Sequence, residues 1–362
     1  MTLSSLPKAS STPAVITGLG MWSPVGYTGP ATCAALRAGI TRLTLLRDLV
    51  DRHGEPLAAA RVQGLDIPPG QAERVGAMAI RVIGEALQGL SEKAREHTRV
   101  SLVLGEVERA GEPSPVVTQV RDAFARLGLE PRTELAVYPD GHAAGTKALL
   151  DIQGRLAWNP RTTEVLVGAD SLSNVRAVGW FEEHHQLRES QQPRGLHLGE
   201  AGACLVLQAE RVALANRNSR YAAVVGCAVA KEPVALRDQG SPRQGEGITR
   251  ALIDALEVAQ WKAKAVRRAY VDLNGEPCRS HEWMLAATRV LDAPEVIHPA
   301  DCIGDVGAAS APLLLGMAAM ALHRGYARAL KPIICCSSNA GLRGVICLEP
   351  ARQQEEVHGA SS

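Results

Sequence analysis

Aromatic side chains are scarce in this chain. Phe, Trp and Tyr together make up 3 % of its 362 residues. A core of that size must then be built from Ala, Val, Leu and Ile. Charge bias is absent too: the formal net charge is +1, with no basic block and no acidic tail. Nucleic-acid binding therefore has no compositional support. The 8 cysteines are scattered, and none stands in a C-x-x-C pair. This pattern excludes the common structural zinc motifs and a disulfide framework. No apolar run is long enough to span a bilayer. The most apolar helical stretch, 310–322, is short and carries Pro312 and Gly316. The N-terminus lacks the charged-then-apolar layout of a secretory signal. The expectation is a reduced, cytoplasmic protein that needs no metal or cofactor and does not enter membranes.

What the sequence has in quantity is glycine, 34 residues, and hydrophobic residues, 46 %. They are arranged as alternating short apolar runs and helical periodicities. Ala14–Gly20 reads as a strand, 30–39 as a helix, and 71–90 as an amphipathic helix. Val100–Leu104 and Glu164–Gly168 read as buried strands. Ser114 with Pro115 marks a helix start that Gly128 closes. Strands at 203–207 and 221–225 end a first half. A second half repeats the pattern, with a helix at 248–258, strands at 269–273, 332–336 and 344–348, and the apolar helix at 310–322. The join falls near 230–245. The expected organisation is an arm over 1–13, halves over 14–235 and 236–350, and a tail over 351–362. Alternation of this kind indicates an α/β protein.

Three windows carry a specific resemblance. Val15-Ile-Thr-Gly-Leu-Gly-Met-Trp-Ser-Pro-Val-Gly26 is similar to the opening strand of β-ketoacyl-ACP synthases, a branch of the thiolase-like enzymes. Val167-Gly-Ala-Asp-Ser171 and Leu198-Gly-Glu-Ala-Gly-Ala-Cys-Leu-Val-Leu207 resemble that family's later glycine-rich stretches. The order of the three is kept. The resemblance implies an α/β fold of the thiolase-like α-β-α-β-α type, with two pseudo-repeated halves and mixed five-stranded sheets. It also implies a homodimer, or a heterodimer with an active synthase. The family pairs the strand after the nucleophile helix with its two-fold mate, and here that strand is 164–168.

Activity in the family needs a thiolate at a helix N-terminus, where unpaired amides lower the thiol pKa. The nucleophile turn normally reads Ala-Cys-Ala-x-Gly. In Tyr138-Pro-Asp-Gly-His-Ala-Ala-Gly145 the aligned residue is His142. The two histidines that act on the malonyl donor align with Asn274 and Asp305. The family's Gly-Phe-Gly-Gly loop, which supplies an oxyanion amide and a gate, resembles 337–344. Gly341, Leu342 and Gly344 are the substrate-contacting positions there, without the phenylalanine. The helix N-terminus disfavours an imidazolium, so a neutral His142 is expected.

Three readings stay open. One is a catalytically degenerate synthase-like protein that binds an acyl carrier protein or a CoA thioester, or serves as an accessory subunit. A second is an acyl hydrolase or acyltransferase using His142 as a base with Asp305. The third is a thiolase-like adaptor for a type VI secretion effector. No H-E-x-x-H, G-x-S-x-G or Walker loop competes with them. His184, His185, His197 and Glu200 match no zinc spacing. Lys147 reads as a solvated side chain on a helix.

Overall fold

The computed structural model describes residues 13–130, 132–236 and 244–352. The expected arm and tail lie almost wholly outside these residues. The first half begins with β1 (Ala14–Trp22), α1 (Gly29–Arg37), β2 (Thr44–Val50) and β3 (Pro56–Ala59). It continues through α2 (Ala72–Ala86), α3 (Glu92–Glu96), β4 (Thr98–Val103), α4 (Val107–Ala110), α5 (Ser114–Asp122) and β5 (Glu134–Tyr138). Then come α6 (Ala144–Trp158), β6 (Thr163–Ser171), α7 (Val175–Glu183), β7 (Glu200–Ala209) and α8 (Glu210–Ala215). The second half holds β8 (Ala222–Lys231), α9 (Glu246–Ala259), β9 (Arg268–Val271), α10 (Pro277–Val290), β10 (Glu295–Ile297) and α11 (Ala300–Ile303). It closes with α12 (Ser310–His323), β11 (Ile333–Ser337) and β12 (Leu342–Glu349).

Strand order reveals the internal repeat. One set runs β5-β4-β6-β7-β1, the other β10-β9-β11-β12-β8. In both, the outer three strands are parallel and the inner pairings antiparallel. The sets join where β1 pairs with β8 over three residues, which makes one ten-stranded sheet. Strand pairing draws the line between halves before β8, ahead of the 235/236 join read from the sequence.

The layers follow from side-chain alternation. In β6, Val165 and Val167 face a core shared with α2 and α5, whereas Leu166 faces the centre. In β11, Ile333 and Cys335 face α9 and α10, whereas Ile334 and Cys336 face the centre. That central core contains α6 and α12. Every α12 residue from Ser310 to Leu322 is buried, so this helix is apolar on all sides and needs no solvent face. The α-β-α-β-α sandwich is present.

Several local expectations need correction. Residues 164–168 do not form an edge. They lie within β6, which pairs with β4 on one side and β7 on the other and is buried along its whole length. The edge strand of the first half is β5, which is short and half-buried and carries no strong alternation; β10 is the edge of the second half. Pro113 holds the N-cap of α5, and Ser114 is its first helical residue with no capping hydrogen bond. Gly128 does end the segment, at φ +69°, but after a separate 3-10 turn over Ala125–Leu127.

Candidate active site

The turn that presents His142 is built between β5 and α6. The Leu104 amide donates to Tyr138 O, and the Gly141 amide donates to Leu104 O. Gly141 adopts φ +71°, and a Cβ there would meet the Glu106 carboxylate. Glycine is the residue that makes this turn without strain. α6 then starts at Ala144, so His142 sits just before its first turn. The loop after β11 braces the turn. The Ala143 amide donates to Ser338 Oγ at 2.9 Å, and Ser338 Oγ donates to Asp140 O.

Asp305 reaches the same point from the second half. Gly304 precedes it at φ +70°, and the Asp305 amide donates to His197 O at 2.7 Å. Its Oδ1 lies 2.7 Å from His142 Nε2 and accepts the Gly307 amide at 2.7 Å. Its Oδ2 accepts from Asn274 Nδ2 at 2.5 Å. The three positions aligned with the family's Cys-His-His thus meet in one hydrogen-bonded cluster. His142 is 1 % exposed, Asp305 3 % and Asn274 6 %.

Around this trio lies a polar shell that sequence reading missed. Asn274 Nδ2 also donates to Glu276 Oε2, which accepts from Arg279 Nε as well. Arg279 Nη1 reaches Asp272 at 2.6 Å, and Asp272 accepts the Ser337 amide. Gln186 Nε2 donates to Glu276 Oε1 and to Asn339 Oδ1. One signal was available: Asp272 stands two residues before Asn274, on the same face of an extended segment. Arg279, one turn into α10, carries no such sign.

The electrostatics run against the expected neutral histidine. Burial works against a charged His142. The adjacent Asp305 charge and its hydrogen bond outweigh that cost, and the pKa is raised. Burial likewise opposes a charged Asp305, but His142, Arg279 and the Gly307 amide hold its pKa far below the usual carboxylate range. The direction of both shifts favours the charged forms of this buried pair. His142 Nδ1 has no partner among the described residues. Burial pushes the Cys335 and Cys336 thiols well above the ordinary thiol value, so neither offers a thiolate.

The remaining expected positions fall nearby. Gly341, at φ +101°, donates to Ser338 O and accepts the Glu232 amide. Leu342 is half-buried against the central core. Gly344 faces α6 so closely that a Cβ would strike the Thr146 side chain. Arg343 turns away into a buried bridge with Glu282. A cavity of about 20 Å³ adjoins Asp272, Asn274, Asp305 and Ser310, which is room for about one water.

The other motif residues act as structural pegs. Asp170 accepts from Arg109 and from the Ala308 amide, tying β6 to the entry of α12. Glu200 accepts from Arg74, the Val62 amide and Ser171 Oγ. Lys147 is exposed and pairs with Asp140. Among the described residues no His/Cys/Asp/Glu group could hold a metal ion, and no helix is long and apolar enough to cross a membrane.

This architecture is the fold seen in solved β-ketoacyl-synthase structures. No family model matches the chain. Solved structures do. The chain is similar to the ishigamide ketosynthase/chain length factor, with a TM-score of 0.74 at 21 % identity over 93 % of this chain and 99 % of that one. It is also similar to a β-ketoacyl synthase from Burkholderia phymatum, with a TM-score of 0.75 at 18 % identity over 94 % and 100 % of the two chains. A third similar structure, of a type II PKS acyl-carrier protein in complex with its ketosynthase, gives 0.77 at 16 % identity over 94 % and 100 %.

Proposed function

We propose that this protein is a catalytically degenerate β-ketoacyl-synthase-like subunit. In this reading it binds an acyl carrier protein or an active synthase and does not condense acyl groups itself. The observation that carries the reading is the buried His142–Asp305 bridge at the nucleophile turn. A condensing site needs a thiolate there and neutral imidazoles against the malonyl carboxylate. Here the turn holds an imidazole hydrogen-bonded to Asp305, and the two facing positions hold an amide and a carboxylate. A malonyl carboxylate placed beside Asp305 would meet a like charge in a buried setting, which is unfavourable. Similar solved structures include a ketosynthase/chain length factor and a ketosynthase bound to its carrier protein, which motivates those two partner classes.

The hydrolase reading asks His142 to take a proton from water. Space works against that, because His142 is 1 % exposed and the adjoining cavity has room for about one water and not for an acyl substrate. The accessory reading is therefore favoured.

The test is intact-mass spectrometry after incubation with acetyl-CoA, malonyl-CoA and an acyl carrier protein loaded with a short acyl chain. We expect no covalent adduct and no ketoacyl product. A stable acyl group on a peptide within residues 138–150 would overturn the reading.

A further inference from the structure

A second cavity lies away from the His142 turn, against the outer strands of the second half, and encloses about 450 Å³. This is within the usual range for small-molecule sites. It shares no lining residue with the cavity beside Asp305. The two nevertheless follow the same elements. Tyr270 on β9 lines the large cavity, and Asp272 and Asn274, further along the same face of that segment, line the small one. Met317 on α12 lines the large cavity, and Leu313 and Leu314, one turn earlier, line the small one. The cavities thus lie in line along the groove between β9 and α12.

The large cavity has an apolar wall and a cationic rim. Cys33 and Leu36 from α1, Ile297 from β10 and Met317 form the wall. Arg37, Arg268 and Arg328 also line it, against one carboxylate, Glu295. Arg268, with its side chain 9 % exposed, is paired with Glu295 at 2.6 Å. Arg37 lies over the Tyr326 ring, 4.3 Å from its centroid, and has no carboxylate partner among the described residues. Arg328 is exposed and has none either. Three guanidiniums against one carboxylate leave a surplus of two positive charges facing an apolar space. The phenols add no negative charge: burial pushes Tyr326 up to about 12 and raises Tyr270 as well. Both remain hydrogen-bond donors at neutral pH.

We propose that this cavity binds an amphipathic anion, an apolar chain or ring ended by a carboxylate or a phosphate. The apolar body lies against Leu36, Ile297 and Met317, and the anionic head meets Arg37 and Arg328. Guanidinium forks suit both head groups, because each can take two parallel hydrogen bonds. The proposal does not depend on whether the His142 site is active.

Isothermal titration calorimetry on the full chain tests it, with octanoate, octyl phosphate, 1-octanol and inorganic phosphate as separate ligands. At least one of the two amphipathic anions should bind saturably at one site per chain. Octanol, which lacks the charge, and phosphate, which lacks the body, should bind about tenfold more weakly or not at all. The double change Arg37→Ala, Arg328→Ala removes two exposed side chains and should weaken the anion about tenfold or more. Ile297→Trp should fill the space and abolish binding while the protein still unfolds cooperatively. Preference between octanoate and octyl phosphate identifies the head group. Absence of saturable binding by both anions would overturn the proposal. So would equal binding of octanol, or unchanged affinity in the double variant.

Discussion

His142 carries a raised pKa in a place where burial and the adjacent helix N-terminus both push the other way. The reason is a partner 163 residues distant, Asp305, at 2.7 Å. This predicts a pH dependence whose direction can be worked out. A histidine raised in the folded state contributes stability that is complete below its ordinary value of about 6.5 and is lost as pH rises through the folded value. A depressed aspartate contributes stability that is complete above about 3.9 and is lost as pH falls through its folded value. The bridge therefore stabilises most between roughly pH 4 and 6.5. His142→Ala leaves a buried carboxylate without its counter-charge and should cost about 3–5 kcal/mol near pH 6. The gap between wild type and variant should narrow at alkaline pH. Urea unfolding of both proteins at pH 6 and pH 9 measures it. A gap that is constant or grows with pH would show that His142 is neutral in the folded protein. Positions 142, 274 and 305 were legible as motif positions. The charge state of 142 was not, because it depends on which side chain the second half brings to the turn.

At the scale of elements, apolar runs marked most strands and the central helix. α12 was visible as the most apolar helical stretch, and burial on every side explains why it has no polar face. β5 was missed: five residues, three of them half-buried, give little periodicity to read. Misplacing the edge at 164–168 had the same origin. A short apolar run reads identically whether it is paired on one side or two. The structure pairs β6 on both sides, which makes a specific prediction. Leu166→Pro removes a donor inside the sheet and places a ring where two ladders meet. It should abolish soluble folded protein rather than merely alter assembly. Circular dichroism and thermal unfolding would check this, and a folded variant with wild-type melting would contradict the assigned topology.

At the scale of the whole molecule, β5 is left with one neighbour, β4, in the sheet order. Glu134–Tyr138 contains no proline and no lysine, the residues that commonly guard an exposed edge. Pairing with a two-fold copy would satisfy those edge groups. We therefore expect a dimer in solution, with β5 rather than β6 at its centre. Light scattering at micromolar concentration measures this. A stable monomer would argue for a different partner on that edge. By itself, the sequence determined the fold class, the repeat of two halves and the presence of a histidine, not a cysteine, at the turn before α6. Each of these is written in local patterns, namely alternating runs, glycine turns and one residue type at one motif position. Only the tertiary structure decided the Asp305 partner of His142, the shell of Asp272, Glu276 and Arg279 around it, the edge strands and the arginine-rimmed cavity. Those properties arise where segments far apart in the chain share a buried space, and there Coulomb forces and pairing depend on neighbours that no local pattern records.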